Sequence, residues 1–223
     1  MAYRIALIGG TGPEGRGLAT RFAIAGHTVV IGSRDPARAA HAAGEVTARL
    51  RAAGHANLAI AGAANADAAA GAELIVLTVP YEAQRATLEA LEPTLVSKIV
   101  IDAVVPVRFE RGPRPIEVPE GSAAEQVAAL LPHSRVIGAF HTIAAETLLD
   151  PTAALHEDVL VAGDDADAKA LVRALAEEIA GVRTVDAGPL RYSRFVEGLT
   201  VLLIGINGRY HAHAGVRIEG LPA

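Results

Sequence analysis

The chain contains no cysteine. Disulfides, thiolate nucleophiles and cysteine-bound metals or clusters are excluded at once. Any redox chemistry must therefore come from bound cofactors, because no side chain here carries hydride. The lack of disulfides also fits a cytoplasmic protein. Tryptophan is missing and aromatic residues make up only 4% of the chain, so the core has to be built from Ala, Val, Leu and Ile. Lysine occurs only at Lys98 and Lys169. Long hydrophobic runs are lacking too: the longest, near Val201-Leu202-Leu203-Ile204, is broken by Gly205, Asn207 and Gly208, too soon to span a bilayer. No basic leader or cleavable apolar segment stands before the first strand-like run, Arg4–Ile8. There is no excess of positive charge, and a formal net charge of -5 gives no general pull toward nucleic acid. These exclusions predict a cytoplasmic chain with no membrane or nucleic-acid partner and no metal site.

What is present is an alternation. The chain has 223 residues, 51% of them apolar, enough for one large α/β domain or such a domain with a small appendage. Short β-branched runs at Arg4–Ile8, Thr28–Ile31, Leu58–Ala61, Leu74–Thr78, Ile99–Asp102 and Val136–Ala139 alternate with Ala-rich helical runs. That rhythm predicts βαβ units and a doubly wound, mainly parallel sheet, its strands apolar on both faces. A first helix is expected from Pro13 to Ala25, stopped by Gly26, and a second from Pro36 to Ala53, followed by Gly54. Ser122 and Glu125 form a capping-box pattern opening a helix that Pro132 closes. A later βαβ-like unit, Val159–Val161, Asp165–Ile179 and Val182–Val185, is expected to extend the same sheet. A last helix-rich stretch runs from Tyr192 to about Ala214. The expected division is a Rossmann-type domain over 1–138 and 157–187 and a small, helix-rich C-terminal lobe over 139–156 and 188–223.

The motifs that carry chemistry sit where strands end. Gly10, Gly12 and Gly15 form G-x-G-x-x-G directly after the first strand and at the start of the first helix. Such a turn, with Thr11, Pro13 and Glu14 in it, brings backbone close to a diphosphate and offers it free N–H groups and the positive end of the helix dipole. A fold selective for the unphosphorylated dinucleotide would place Asp or Glu at the tip of the second strand, to bond the ribose hydroxyl. Here the tip reads Ser33-Arg34-Asp35-Pro36-Ala37-Arg38. Ser33, Arg34 and Arg38 suit a 2′-phosphate, so NADP is the expected dinucleotide. Thr78, Val79 and Pro80 follow the fourth strand at the carboxyl edge, where nicotinamide should lie; alone they would be an ordinary strand-ending turn. His141 and Ile143 follow the sixth strand. A histidine there could bond a substrate or shuttle a proton, though a lone histidine is more often structural. Arg209, His211, His213 and Arg217 in the tail form either a solvated face or a cationic patch.

Taken together these residues resemble the NADPH-dependent coenzyme F420 oxidoreductases. The likeness covers nearly the whole chain: Gly9-Gly10-Thr11-Gly12, Gly32-Ser33-Arg34, Val76 through Pro80, Val105-Pro106-Val107, His141-Thr142-Ile143, Ala162 through Asp165, Asp186 through Leu190, Ser193-Arg194 and Val196-Glu197. It implies hydride transfer between NADP and the deazaflavin coenzyme F420, held in a cleft between the two lobes of a homodimeric protein. It implies that Thr11, Ser33, Arg34 and Arg38 bind NADP and that His141 and Ile143 wall the deazaflavin, with no obligatory catalytic side chain. Two positions depart from the family pattern: Ala144 stands where Pro follows His-Thr-Ile, and Tyr81 where Trp is familiar. Two other readings share the N-terminal motifs. One is an NADPH-dependent reductase of an imine, keto acid or ferric ion, for which Lys98 lies at the wrong edge of the sheet. The other is a non-enzymatic NADP-binding redox sensor.

Overall fold

A computed structural model describes residues 1–221. Its centre is an eight-stranded sheet. In chain order the elements are β1 (Arg4–Ile8), α1 (Pro13–Ile24), β2 (Thr28–Ser33), α2 (Pro36–Ala52), β3 (Ala59–Ala64), α3 (Asn65–Ala70), β4 (Leu74–Leu77), α4 (Tyr81–Leu95), β5 (Ile99–Asp102), the hairpin β6 (Val107–Phe109) and β7 (Pro113–Pro115), α5 (Ala123–Leu130), β8 (Arg135–Gly138), α6 (Ala145–Leu149), β9 (Asp158–Gly163), α7 (Ala166–Glu177), β10 (Arg183–Gly188) and α8 (Ser193–Tyr210). The spatial order is β10-β9-β8-β5-β4-β1-β2-β3. Strands β8, β5, β4, β1, β2 and β3 are all parallel, in the reversing order of a doubly wound sheet.

Alternation along the strands distributes the core over both faces. Ile5 and Leu7 of β1 pack with Leu18 and Phe22 of α1, Val46 and Leu50 of α2, and Val172 and Leu175 of α7. Ala6 and Ile8 face Ala68 of α3, Leu88 and Leu91 of α4 and Val127 of α5. Side-chain caps start α2 and α5, the second as the Ser122 pattern in the sequence predicts. Asp35 caps α2 by accepting from the N–H of Ala37 at 2.9 Å, and Ser122 caps α5 by accepting from Glu125 N at 3.0 Å.

Three features depart from the sequence reading. The late βαβ-like unit does join the sheet, with β10 parallel to β9, but β9 runs antiparallel to β8. Residues 139–157 turn back at one edge rather than cross a face, which brings the amino end of β9 beside His141; Thr142 Oγ1 donates to Asp158 O at 3.4 Å. The last helix ends at Tyr210, not near Ala214. His211 adopts a left-handed conformation (φ 52°), and the Asn207 side chain accepts from Ala214 N at 2.8 Å, so the chain folds back. Residues 214–218 then strap onto β9: Asp158 N donates to Val216 O at 2.7 Å and Ile218 N to Asp158 Oδ2 at 2.6 Å. Finally, the β6–β7 hairpin had no counterpart in the reading, its prolines and charges masking a three-residue pairing.

Candidate functional site

A cleft of about 980 Å³ runs along the carboxyl edge of the parallel strands. It is lined by Thr11, Gly12, Pro13, Glu14, Ser33, Arg34, Arg38, Thr78, Val79, Pro80, His141 and Ile143, so nearly every residue singled out from the sequence faces one space. Gly10 and Gly15 do not line it. Their role is to shape the turn: a Cβ on Gly15 would collide with the Gly10 backbone. The turn is pinned by Gly10 N donating to Leu7 O at 3.1 Å and to Gly32 O at 3.0 Å. Gly12 caps α1 with no side-chain hydrogen bond, and nothing lies within 4 Å of where its Cβ would stand. The first-turn N–H groups and the helix dipole therefore face open space, the arrangement that receives an anion.

At the tip of β2, Ser33 is buried and its Oγ accepts from Asp35 N at 3.1 Å. The Asp35 carboxylate is engaged in capping α2, while Asp35 itself also lines the cleft. Arg34 and Arg38 are exposed, and neither takes part in any ion pair formed among the described residues. Two uncommitted guanidinium groups beside a hydroxyl suit a phosphate monoester. Behind them Asn65, at the start of α3, accepts from Gly9 N at 3.2 Å and lines the cleft. Sequence reading passed over it; a polar residue at the carboxyl end of β3, the neighbour of β2, was the available signal.

Thr78 is held by its N–H and its Oγ1, which donate to Ile8 O at 3.0 and 3.2 Å. Pro80 then opens α4. Across the cleft, Phe140 takes a left-handed backbone (φ 70°), an uncommon state for a bulky residue, secured by an edge-to-face contact with Phe22 at 5.8 Å. This turn aims His141 into the cleft. Thr200 of α8 donates to His141 O at 2.9 Å. Leu203, Ile204 and Asn207 of α8, Phe109 of the hairpin and Ala214 of the strap complete the far wall, and none of them was singled out from the sequence. Arg21 ties residues 147–153 to α1 through bonds to the carbonyls of Thr147 (2.6 Å), Leu148 (3.0 Å), Asp150 (2.7 Å) and Ala153 (3.1 Å).

Four largely buried ionisable groups, Glu14 and His141 in the cleft lining and Asp102 and Glu197 behind it, are shifted toward neutrality. Burial pulls the His141 imidazole down to about 4, so it is uncharged at neutral pH. Burial, with repulsion from Glu146 and Glu157, pushes Glu14 up to about 8. Burial holds Glu197 near 7 and, with Glu197 alongside, lifts Asp102 well above the usual carboxylate range. Of the carboxyls lining the cleft, Glu14 is thus largely neutral near pH 7. Among the described residues, no helix is long and apolar enough to cross a membrane.

Residues 4–106 match the family model described as NADP oxidoreductase, coenzyme F420-dependent. The chain is 45% identical over 228 residues to an F420-dependent NADP reductase of Methanothermobacter thermautotrophicus, spanning 100% of this chain and 97% of the relative. It is 38% identical over 222 residues to one from Methanocaldococcus jannaschii, spanning 98% of this chain and 99% of that one. A solved structure of a candidate F420 dependent NADP-reductase from Arthrobacter sp. FB24 superposes with a TM-score of 0.79 at 33% identity, covering 95% of this chain and 96% of that one.

Proposed function

The chain belongs to the family of F420-dependent NADP reductases, and from that premise we infer how its cleft divides between the two substrates. It is an oxidoreductase that transfers hydride reversibly between NADP(H) and coenzyme F420. The chemistry is the substrates' own: hydride passes between carbon 4 of the nicotinamide and carbon 5 of the deazaflavin, and both termini are carbon. What the protein contributes is orientation and exclusion of water.

In this reading the diphosphate rests on the Thr11–Gly15 turn at the amino end of α1. Ser33, Arg34 and Arg38 hold the 2′-phosphate. Thr78, Val79 and Pro80 bear on the nicotinamide, and His141 and Ile143 form the wall against the deazaflavin. The single observation that carries it is the continuity of the cleft: the glycine turn, the Ser33–Arg38 segment, the β4 edge and the His141 wall all open onto one space of about 980 Å³. The open ground over Gly12 and the uncommitted guanidinium groups fit a phosphorylated dinucleotide. No side chain need donate or abstract a proton at the hydride-bearing carbons. Residues 1–138 and 157–187 act as the dinucleotide domain, and 139–156 with 188–221 complete the acceptor side.

Cytoplasmic location and a homodimeric assembly belong to the same reading. Phe195 and Leu202 of α8 are 67% and 59% exposed, with Gly198 between them on the same helical face. An apolar stripe interrupted by a residue without a side chain suits close packing against the same helix of a second copy.

The direct test mixes protein, NADPH and F420 and follows loss of deazaflavin absorbance, with NADH and FMN as controls. Loss that requires both NADPH and F420 is expected. Equal rates with FMN, or NADPH binding without turnover, would overturn the assignment in favour of another reductase or a sensor.

A further inference from the structure

The β6–β7 hairpin carries Arg108, Arg111 and Arg114 against one acid, Glu110, in a chain whose formal net charge is -5. All three arginines are exposed. Arg108 and Arg114 stand directly opposite each other in the antiparallel register, in a ladder of three residue pairs. Like charges so placed weaken a ladder, and little offsets them locally. Arg108 Nε lies 3.4 Å from Glu110 Oε1, on side chains 55% and 61% exposed, and such surface pairs contribute little. Arg114 Nε donates to Glu110 O at 3.4 Å. Among the described residues, neither Arg111 nor Arg114 takes part in an ion pair. The hairpin is anchored by other means: Ile116 N donates to Pro106 O at 2.8 Å, and Pro113 stands against Gly205 of α8. The fold itself makes no use of three cations here.

Their position points to a ligand. Phe109, between Arg108 and Glu110, lines the cleft. A second hollow of about 430 Å³ opens against the hairpin, lined by Tyr81, Glu82, Val107 and Arg108 and sharing Val79, Pro80, Val105 and Phe109 with the cleft. A chain leaving the cleft past Phe109 therefore enters a hollow edged by Arg108. The phosphates of the dinucleotide are met elsewhere. The tip of β2, with Ser33, Arg34 and Arg38, is three strand spacings from β5, about 14 Å, and it is β5 that leads into the hairpin. The hydride partner supplies a separate anion. Its deazaflavin ring carries a ribityl chain that continues into a phosphodiester and glutamate carboxylates. We propose that Arg108 and Arg114, with Arg111 at the turn, form a subsite for the phosphodiester and carboxylates of that side chain, which leaves the cleft past Phe109. The subsite rests on the deazaflavin reading of the cleft. The acids at this rim are Glu110 and Glu82, the latter exposed in the first turn of α4, and the three arginines outnumber them.

The test uses two acceptors with one ring system: F420, and the deazaflavin riboside that ends at the ribityl hydroxyls. Arg108→Gln combined with Arg114→Gln removes both opposed charges. In turnover with NADPH the variant should raise the KM for F420 about tenfold relative to that for the riboside, the worth of two exposed charge pairs. Fluorescence anisotropy of F420 should show the same shift in Kd without turnover. Wild type should favour F420 over the riboside, and about 0.5 M salt should shrink that preference, because exposed charges are screened at that strength. Arg108→Lys combined with Arg114→Lys keeps the charge and should keep most of the preference, which also decides the matter if the glutamine pair does not fold. Equal effects of the glutamine pair on both acceptors would mean that the hairpin only shapes the cleft, and would overturn the proposal. An unchanged KM for F420, or a preference indifferent to salt, would overturn it too. Wild-type protein that binds NADPH and reduces neither acceptor would instead refute the reaction assignment, whereas F420 reduced with the same preference by wild type and variant refutes the subsite alone.

Discussion

Replacing Glu14 with glutamine should make the ligand-free protein more stable in mild alkali and leave it unchanged in mild acid. Glu14 lies in the first turn of α1, its Oε1 is buried and unpartnered, and its carboxyl is pushed from 4.5 up to about 8 by burial and by Glu146 and Glu157. The folded chain keeps this proton where the unfolded chain has lost it. Below the unfolded value both states are protonated and folding costs nothing extra. Between 4.5 and about 8 the cost accumulates, and above that it is constant. Across that interval the full conversion gives a ceiling of about 5 kcal/mol. Glu14 keeps part of its surface, and solvent screening reduces the figure to about 2 kcal/mol. For a chain of this size that is about 4–8 °C in Tm. Urea or thermal unfolding of wild type and Glu14→Gln, at about pH 5 and about pH 8.5, measures the difference. The two should nearly coincide in acid, with the variant ahead in alkali. The same carboxyl must stay neutral beside the diphosphate, so NADP affinity of the wild type should weaken above about pH 8 while that of the variant stays flat. A stability difference independent of pH, or a variant weaker in alkali, would refute the reasoning.

Arg34→Ala should raise the KM for NADPH by about 10- to 100-fold, the range for one charge-assisted hydrogen bond, while kcat changes little; steady-state kinetics with both dinucleotides checks it, and an unchanged ratio of NADPH to NADH efficiency counts against the placement. Arg21→Ala leaves four carbonyls of the 147–153 segment without their donor. It should cost about 3 kcal/mol in urea unfolding and raise hydrogen exchange first in that segment. Leu202→Asp, on the exposed face of α8, should convert a dimer to a monomer in light scattering, with NADP affinity kept.

The legible parts of this fold were those encoded by neighbours in sequence. The glycine turn, the Ser33–Arg38 tip and the strand ends at Thr78 and His141 each announce themselves within a few residues, because a strand, its turn and its helix are consecutive. Residues that reach the cleft through distant packing stayed hidden. Thr200 and Leu203 are ordinary apolar-helix positions until α8 lies against the His141 segment. Phe109 is one exposed aromatic until a three-residue hairpin carries it to the rim. Asp102 reads as the end of an apolar strand, and nothing local brings Glu197 alongside it. The reversal of β9 was beyond reach for another reason: an apolar run specifies that a strand forms, not which way it points, and that choice is made by the length and anchoring of residues 139–157.

That reversal makes the His141 wall an arch with both feet set in the same sheet, one at β8 and the other at β9. Arg21 clamps its span from beneath, and Thr200 holds its inner curve. Such a wall yields little. Differences in bulk among incoming acceptors should therefore be taken up at the Phe109 hairpin, which stands on its own two short strands, and breadth of acceptor use in this chain should evolve there first.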